Sequence, residues 1–313
     1  MKPSQLLRFA QLALQVARQH LPPYGSKYSP KKFTQPSLLA CLWVKEYLRQ
    51  DYRGLEDLLA SSAELRAALG LESVPDPSTF HGFMRHRVTP TLRKAALATT
   101  LRLFRRRSRR GETVAVDATG FSRRSASHYY MRRMGRRQRA RRFRMLSMVV
   151  GVRPQVICAQ GVRAGPGSPS RLLPPLVQET VRHVAVRRLL ASADSDSEPT
   201  HRWLREEPGI ESIIPATGCC PGRARTPYRR RMQRYFPRRK YGRRWIAETV
   251  ASVLKRKFGE ALTTRRKQAL LRGLVYNLRR AVAVAGIFLR LWVHRLLPVG
   301  RRPLEMLTAS PLP

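Results

Sequence analysis

Residues 184–215 read V-A-V-R-R-L-L-A-S-A-D-S-D-S-E-P-T-H-R-W-L-R-E-E-P-G-I-E-S-I-I-P, and three patterns follow one another there. Val184–Ala191 has the length and apolar content of a buried strand. Pro199–Glu206 has the pattern of a helix, and Ile210–Pro215 is a second short β-prone run. Strand, helix and strand in that order predict an α/β layer, in which ligands sit beyond the carboxyl ends of the strands. Asp194, Asp196 and Glu198 fall at such an end.

Working outward from this stretch, the run T-V-A-V-D at 113–117 predicts another strand, one that delivers Asp117 at its end. Met145–Val152 is strand-like as well, Gln155–Val162 suits its hairpin partner, and Leu172–His183 turns helical. Upstream of residue 110 strand alternation is nearly absent. Ser37–Arg49 and Gly54–Leu69 carry apolar residues three and four apart, and Asp76 or Ser78 can cap the helix after the break at Val74–Phe80. Residues 1–110 are therefore expected to form a helical N-terminal domain, 111–297 an α/β domain ending in the long apolar stretch Leu270–Leu297, and 298–313 a flexible tail. A helix-turn-helix around residue 80 and plain helix packing are both compatible with the pattern.

Lys and Arg number 62 against 19 Asp and Glu, a net charge of +43, while 42% of the residues are hydrophobic. That is a globular chain whose self-repulsion calls for a polyanionic partner, and nucleic acid is the obvious one. An arginine-rich genome inflates the charge without function, but it does not explain clusters such as Arg132–Arg144, the densest basic block. The four cysteines have neither disulfide nor zinc spacing, as expected of reduced thiols in a cytoplasmic protein. Residues 6–14 resemble an amphipathic helix rather than a secretory segment, and the longest apolar run, Ala281–Leu289, is too short for a bilayer span.

The segment Y-G-R-R-W-I-A-E-T-V-A-S-V-L-K at 241–255 places Tyr241, Arg244, Glu248 and Lys255 along one stripe of a predicted helix. Ile246, Val250, Val253, Leu254 and Phe258 fill its other side, so one face packs in a core and the other meets a ligand or solvent. The plainer reading is an ordinary Arg244–Glu248 pair on a solvated face. Asp117, the acids around Asp194, and Glu248 form three acidic groups at strand ends or on a helix face. Carboxylates suit Mg²⁺ or Mn²⁺, and two such ions together activate a water or 3′-hydroxyl at a phosphodiester.

The spacing Y-x2-R-x3-E-x6-K, met by Tyr241, Arg244, Glu248 and Lys255, resembles the signature of bacterial insertion-sequence transposases with a DDE active site. V-A-V-D-A-T-G-F at 114–121 is similar to the first-Asp motif of that family, D-S-E at 196–198 to the end of its second, and K-R-K-F-G at 255–259 with V-Y-N-L at 275–278 to its C-terminal region. The resemblance implies an RNase H-like catalytic domain preceded by an α-helical N-terminal domain. It implies cutting of transposon ends and joining to target DNA, with Asp117 and Glu248 as catalytic metal ligands for Mg²⁺ or Mn²⁺. Tyr241, Arg244 and Lys255 then position phosphate or flipped bases, Arg132, Arg133, Arg136 and Arg137 lie against DNA, and a homodimer on paired ends of double-stranded DNA, in the cytoplasm at the nucleoid, is expected. The second motif of the family reads D-x-G-Y-D-S-E. An ungapped match sets Ser192 at the catalytic Asp, with Asp194 the first candidate for the missing catalytic and metal-binding acid and Asp196 the next. A decayed relic that only binds DNA is the alternative, and a basic RNA-binding protein is a more distant one.

Overall fold

The computed structural model describes residues 4–28, 30–104, 111–123, 143–165, 169–217, 225–262 and 266–284. Six helices come first: α1 Gln5–Arg18, α2 Gln35–Leu48, α3 Tyr52–Ser61, α4 Ala63–Ala68, α5 Pro77–His86 and α6 Pro90–Arg102. Each starts at a Ser, Thr or Asp whose side chain accepts a first-turn N–H: Ser4, Thr34, Asp51, Ser62, Asp76 and Thr89. Such caps satisfy donors that the helix leaves orphaned. Ser62 also divides the helical stretch 54–69 into two helices. Its extended backbone and capping hydroxyl end α3 and begin α4.

A mixed sheet follows. Its strands are β1 Glu112–Arg123, β2 Arg144–Gly151, β3 Ile157–Ala164, β4 Val186–Leu190 and β5 Glu211–Ile213. They lie in the order β3-β2-β1-β4-β5, with β1–β2 and β2–β3 antiparallel and β1–β4 and β4–β5 parallel. Helix α7, Leu173–Val181, leads into β4, and α8, Glu198–Glu206, makes the crossover between β4 and β5. The strand-helix-strand reading of 184–215 thus holds. After β5 come α9 Pro227–Arg234, α10 Arg238–Tyr241, a 3₁₀ turn Gly242–Arg244, α11 Trp245–Phe258, the short β6 Ala261–Leu262 against the far end of β1, and α12 Arg266–Val284. The remainder of the apolar stretch expected to run to Leu297, and the tail at 298–313, lie outside the described residues.

Alternation along the strands sorts the core into two layers. Ala115 and Phe121 of β1, Leu146 and Met148 of β2, Leu190 and Ile213 face a cluster with α11, α12 and the N-terminal helices. Val114, Val149, Leu189 and Ala191 face the opposite cluster, with Leu176 and Val177 of α7 and Leu204 of α8. Period two in a strand buried on both faces gives this division. The helical half is thus continuous with the first cluster, in which Phe9, Leu39 and Trp43 share a core with Ile246 and Leu274. Polar groups pin the join. Buried Arg272 of α12 lies 3.6 Å from Glu46 of α2 and donates to the carbonyls of Gly259 and Ala261 at 2.8 and 3.0 Å. Gly259 ends α11 at φ +83°, a backbone state that side chains resist.

Asn277, in the V-Y-N-L motif, is fully buried and clamps α12 to the sheet. Its amide accepts from the Ile157 N–H and donates to the Ile157 carbonyl and the Thr100 hydroxyl, all at 2.9 Å.

Candidate active site

Asp117, expected at the end of its strand, sits instead in mid-β1, because the pairing with β2 continues past it to Phe121; it lies on the face that carries Ala115 and Phe121, and so points towards α11. Helix α11 meets it because Ile246, Val250, Leu254 and Phe258 are buried against the sheet. Burial of four such side chains contributes on the order of 1.5–3 kcal/mol each. What the apolar face fixes, the polar face presents. Arg244, at the start of α11, places Nη1 3.7 Å from Asp117 Oδ1, and its Nη2 donates to Glu248 Oε1. One guanidinium therefore bridges the two acids. Burial raises the pKa of Asp117, and Glu248 pushes the same way, against the pull of the Ala118 backbone N–H, Arg244 and Lys255. All three charged residues of the stripe thus act on Asp117.

The stripe differs from expectation in one respect. Tyr241 closes α10, and the tight turn Gly242–Arg244 separates it from α11. Gly242 is a poor helix former there, and the turn narrows instead of continuing. Tyr241 nevertheless stays close. Its ring stands edge-on to Phe236 with centroids 4.9 Å apart, and the Arg244 guanidinium is 5.8 Å from its centre. The plainer reading of Arg244 and Glu248 as an i,i+4 pair is also present, joined to a third partner, Asp117, that sequence spacing does not disclose.

The second strand end decides what the site can hold. Parallel pairing aligns Ala115 with Leu190. That is the last pair of the ladder, and two residues further along the chain come Asp117, still in β1, and Ser192, two residues past the end of β4; continuing the register and the alternation brings the two level on one face. Ser192 is half-buried, in extended backbone, and its side chain caps nothing. Asp194 lies in the one-turn 3₁₀ helix Ala193–Ser195 and is exposed.

Asp196, the next candidate for a metal ligand, is committed elsewhere. Its fully buried carboxylate accepts at Oδ2 from the Thr217 N–H and hydroxyl at 2.7 and 2.8 Å, and from Arg229 Nε at 2.9 Å. Its Oδ1 lies 3.5 Å from Nε2 of buried His201. Burial lowers the His201 pKa, although Asp196 beside it pulls upward. A carboxylate so enclosed has no room for a metal shell.

The candidate donor set that the continued register gives is Asp117, Glu248 and a neutral Ser192 hydroxyl, with Asp194 two residues beyond. Among the described residues no three His, Cys, Asp or Glu side chains gather closely enough to hold a metal ion. Two carboxylates sharing one guanidinium, and a hydroxyl in third place, do not fit a pair of divalent cations, which require anionic oxygens to offset their charge. Arg132, Arg133, Arg136 and Arg137 lie outside the described residues, as do Cys219 and Cys220. Cys41 and Cys158 are free and buried, and burial pushes the Cys158 thiol up to about 12. No described helix is long and apolar enough to cross a membrane.

Sequence reasoning missed Arg229 and Thr217. Arg229 looked like one arginine among many, and only the acid it meets distinguishes it.

The crystal structure of a pre-cleavage Mos1 transpososome is similar at 13% identity over 92% of this chain and 99% of that chain, with a TM-score of 0.23, a likeness too distant to bear on the site. No curated protein matches. Residues 108–282, more than half the chain and the span that carries Asp117, Ser192, Arg244 and Glu248, match the Transposase DDE domain family. The chain belongs to that family.

Proposed function

We propose that this chain binds double-stranded DNA at the strand ends of an RNase H-like domain and has a strand-transfer centre one carboxylate short. The sheet order, with three antiparallel strands followed by two parallel ones, supports the fold. The observation that supports the function is the register of β1 and β4, whose last pair is Ala115 with Leu190; continued by two residues it brings Ser192, which stands where the transposase signature has its second Asp, level with Asp117. The net charge of +43 supports a DNA partner. Tyr241, Arg244 and Lys255 serve that partner at the site, and Arg132, Arg133, Arg136 and Arg137 extend the contact. Two protomers hold a pair of ends at the nucleoid. The test is incubation of the full chain with duplexes from the flanks of its gene, in Mg²⁺ and in Mn²⁺. Binding without nicking is expected. Nicking by wild type that disappears in Asp117→Ala and Glu248→Ala would overturn the reading.

A second reading has its own observation. Asp194 is exposed at the same strand end. With Asp194 completing a set with Asp117 and Glu248 for Mg²⁺ or Mn²⁺, the chain cuts transposon ends and joins them to target DNA. Nicking lost in Asp194→Asn would select it.

A further inference from the structure

Residues 225–244 contain ten Arg and Lys and no acid, yet this segment is held in place instead of splaying. Three acids from the α/β layer restrain it from within. Glu198, at the start of α8, accepts from the backbone N–H groups of Tyr228 and Arg229, both at 3.1 Å, and so caps the first turn of α9 from outside the helix. Burial opposes the charge, but those N–H bonds hold the Glu198 carboxyl below the usual carboxylate range. Asp196 grips the Arg229 side chain of the same turn, and Glu211 of β5 lies 3.4 Å from Lys240. The segment then ends at Arg244, between Asp117 and Glu248.

The acids are all on the inside. Met232 is buried, whereas Arg231, Arg234, Arg238, Arg239 and Arg243 are exposed and have no acidic partner among the described residues. Arg231 and Arg234 stand one helical turn apart on the outer face of α9. A solvated helix ordinarily intersperses acids to relieve such repulsion. Here a chain with few acids sinks the carboxylate of one, Asp196, completely out of water to hold Arg229 in the first turn of α9, the helix that carries the exposed Arg231 and Arg234.

We propose that Arg231, Arg234, Arg238, Arg239 and Arg243 form one surface that binds the sugar-phosphate backbone of duplex DNA beside Asp117 and Glu248. Asp196 and Glu198 are its positioning residues, which orient the arginines without touching DNA. This rests on the reading that the chain acts on DNA, and the motif residues Asp196 and Glu198 gain a role distinct from metal binding.

Fluorescence anisotropy with a labelled duplex and the full chain, titrated against salt, tests both parts. Arg231→Ala/Arg234→Ala is expected to flatten the slope of log K against log salt by about 2, since each phosphate contact contributes about 0.9. Arg182→Ala/Arg187→Ala removes the same charge near the other end of β4 and is expected to leave the slope nearly unchanged. Glu198→Gln adds a unit of positive charge, so simple electrostatics would tighten binding. The proposal expects it to weaken binding and flatten the slope, and Asp196→Asn to do the same with its circular dichroism melt intact. If Asp196→Asn does not fold, Glu198→Gln decides. Equal losses in the two double variants, or tighter binding by Glu198→Gln, would overturn the proposal while leaving duplex binding in place. Preference of the wild type for single-stranded RNA, with the same arginine dependence, would instead overturn the duplex reading and its claim on this surface.

Discussion

Replacing Ser192 with Asp puts a carboxylate two residues past the end of β4, where the continued register brings it level with Asp117 at about the inter-strand spacing of 5 Å at the backbone. Two like charges at that distance repel by about 3 kcal/mol at an effective dielectric constant near 20. Asp117 already has a raised pKa through burial and Glu248, and the one nearby guanidinium, Arg244, is shared with Glu248. In EDTA the variant is therefore expected to melt below the wild type, with part of the repulsion relieved by uptake of a proton. Magnesium reverses this, because three carboxylates then surround one site. Binding at a concentration about a hundredfold above Kd adds about 2.7 kcal/mol. At roughly 2 °C per kcal/mol for a chain of this size, that raises Tm by about 5 °C. The assay is differential scanning fluorimetry in EDTA and in MgCl₂, with NaCl at matched ionic strength as the control. The wild type is expected to shift much less. A variant that melts above wild type in EDTA, or one that gains no more from magnesium than wild type does, would refute the placement of Ser192 beside Asp117. A wild-type response abolished by Asp194→Asn would show instead that Asp194 completes the set.

Other expectations follow from the packing and the charges. Burial raises the Asp117 pKa, so its carboxyl binds a proton more tightly folded than unfolded. It stabilises fully below the ordinary carboxylate pKa, and that contribution is lost as pH rises through the folded value. Asp117→Asn should thus raise Tm at neutral pH, with the gain shrinking on acidification, and thermal melts of both proteins across pH 4–8 check the sign. Asn277→Ala leaves the Ile157 N–H and carbonyl without their side-chain partner and should cost about 2–4 kcal/mol by denaturant titration. Arg272→Met strips the Gly259 and Ala261 carbonyls of a donor and leaves Glu46 with Lys45 as its neighbouring cation, and should cost about 2–4 kcal/mol. Adding Glu46→Gln should recover part of that loss, which a double-mutant cycle measures.

The line between what sequence discloses and what it conceals runs along chain separation. Local periodicity sufficed for the strand-helix-strand order at 184–215, for the apolar face of α11, and for Asp117 on a strand, because each depends on neighbours within a few positions. The break at Gly242 was missed on a local point, since helical spacing of Tyr241 and Arg244 survives a tight turn almost unchanged. Asp194 and Asp196 could not be ranked. They occupy one short acidic run, and what separates them is Arg229, 33 residues downstream, which buries one and leaves the other exposed. Ser192 is the instructive case. The motif comparison names it as a departure, but its consequence depends on the pairing of Ala115 with Leu190, strands that lie 75 residues apart in the chain. Had the register slipped by one residue, Ser192 would face α7 and α8, and its lack of charge would not touch the site. Long-range register, and not composition, makes a serine at this position a statement about chemistry.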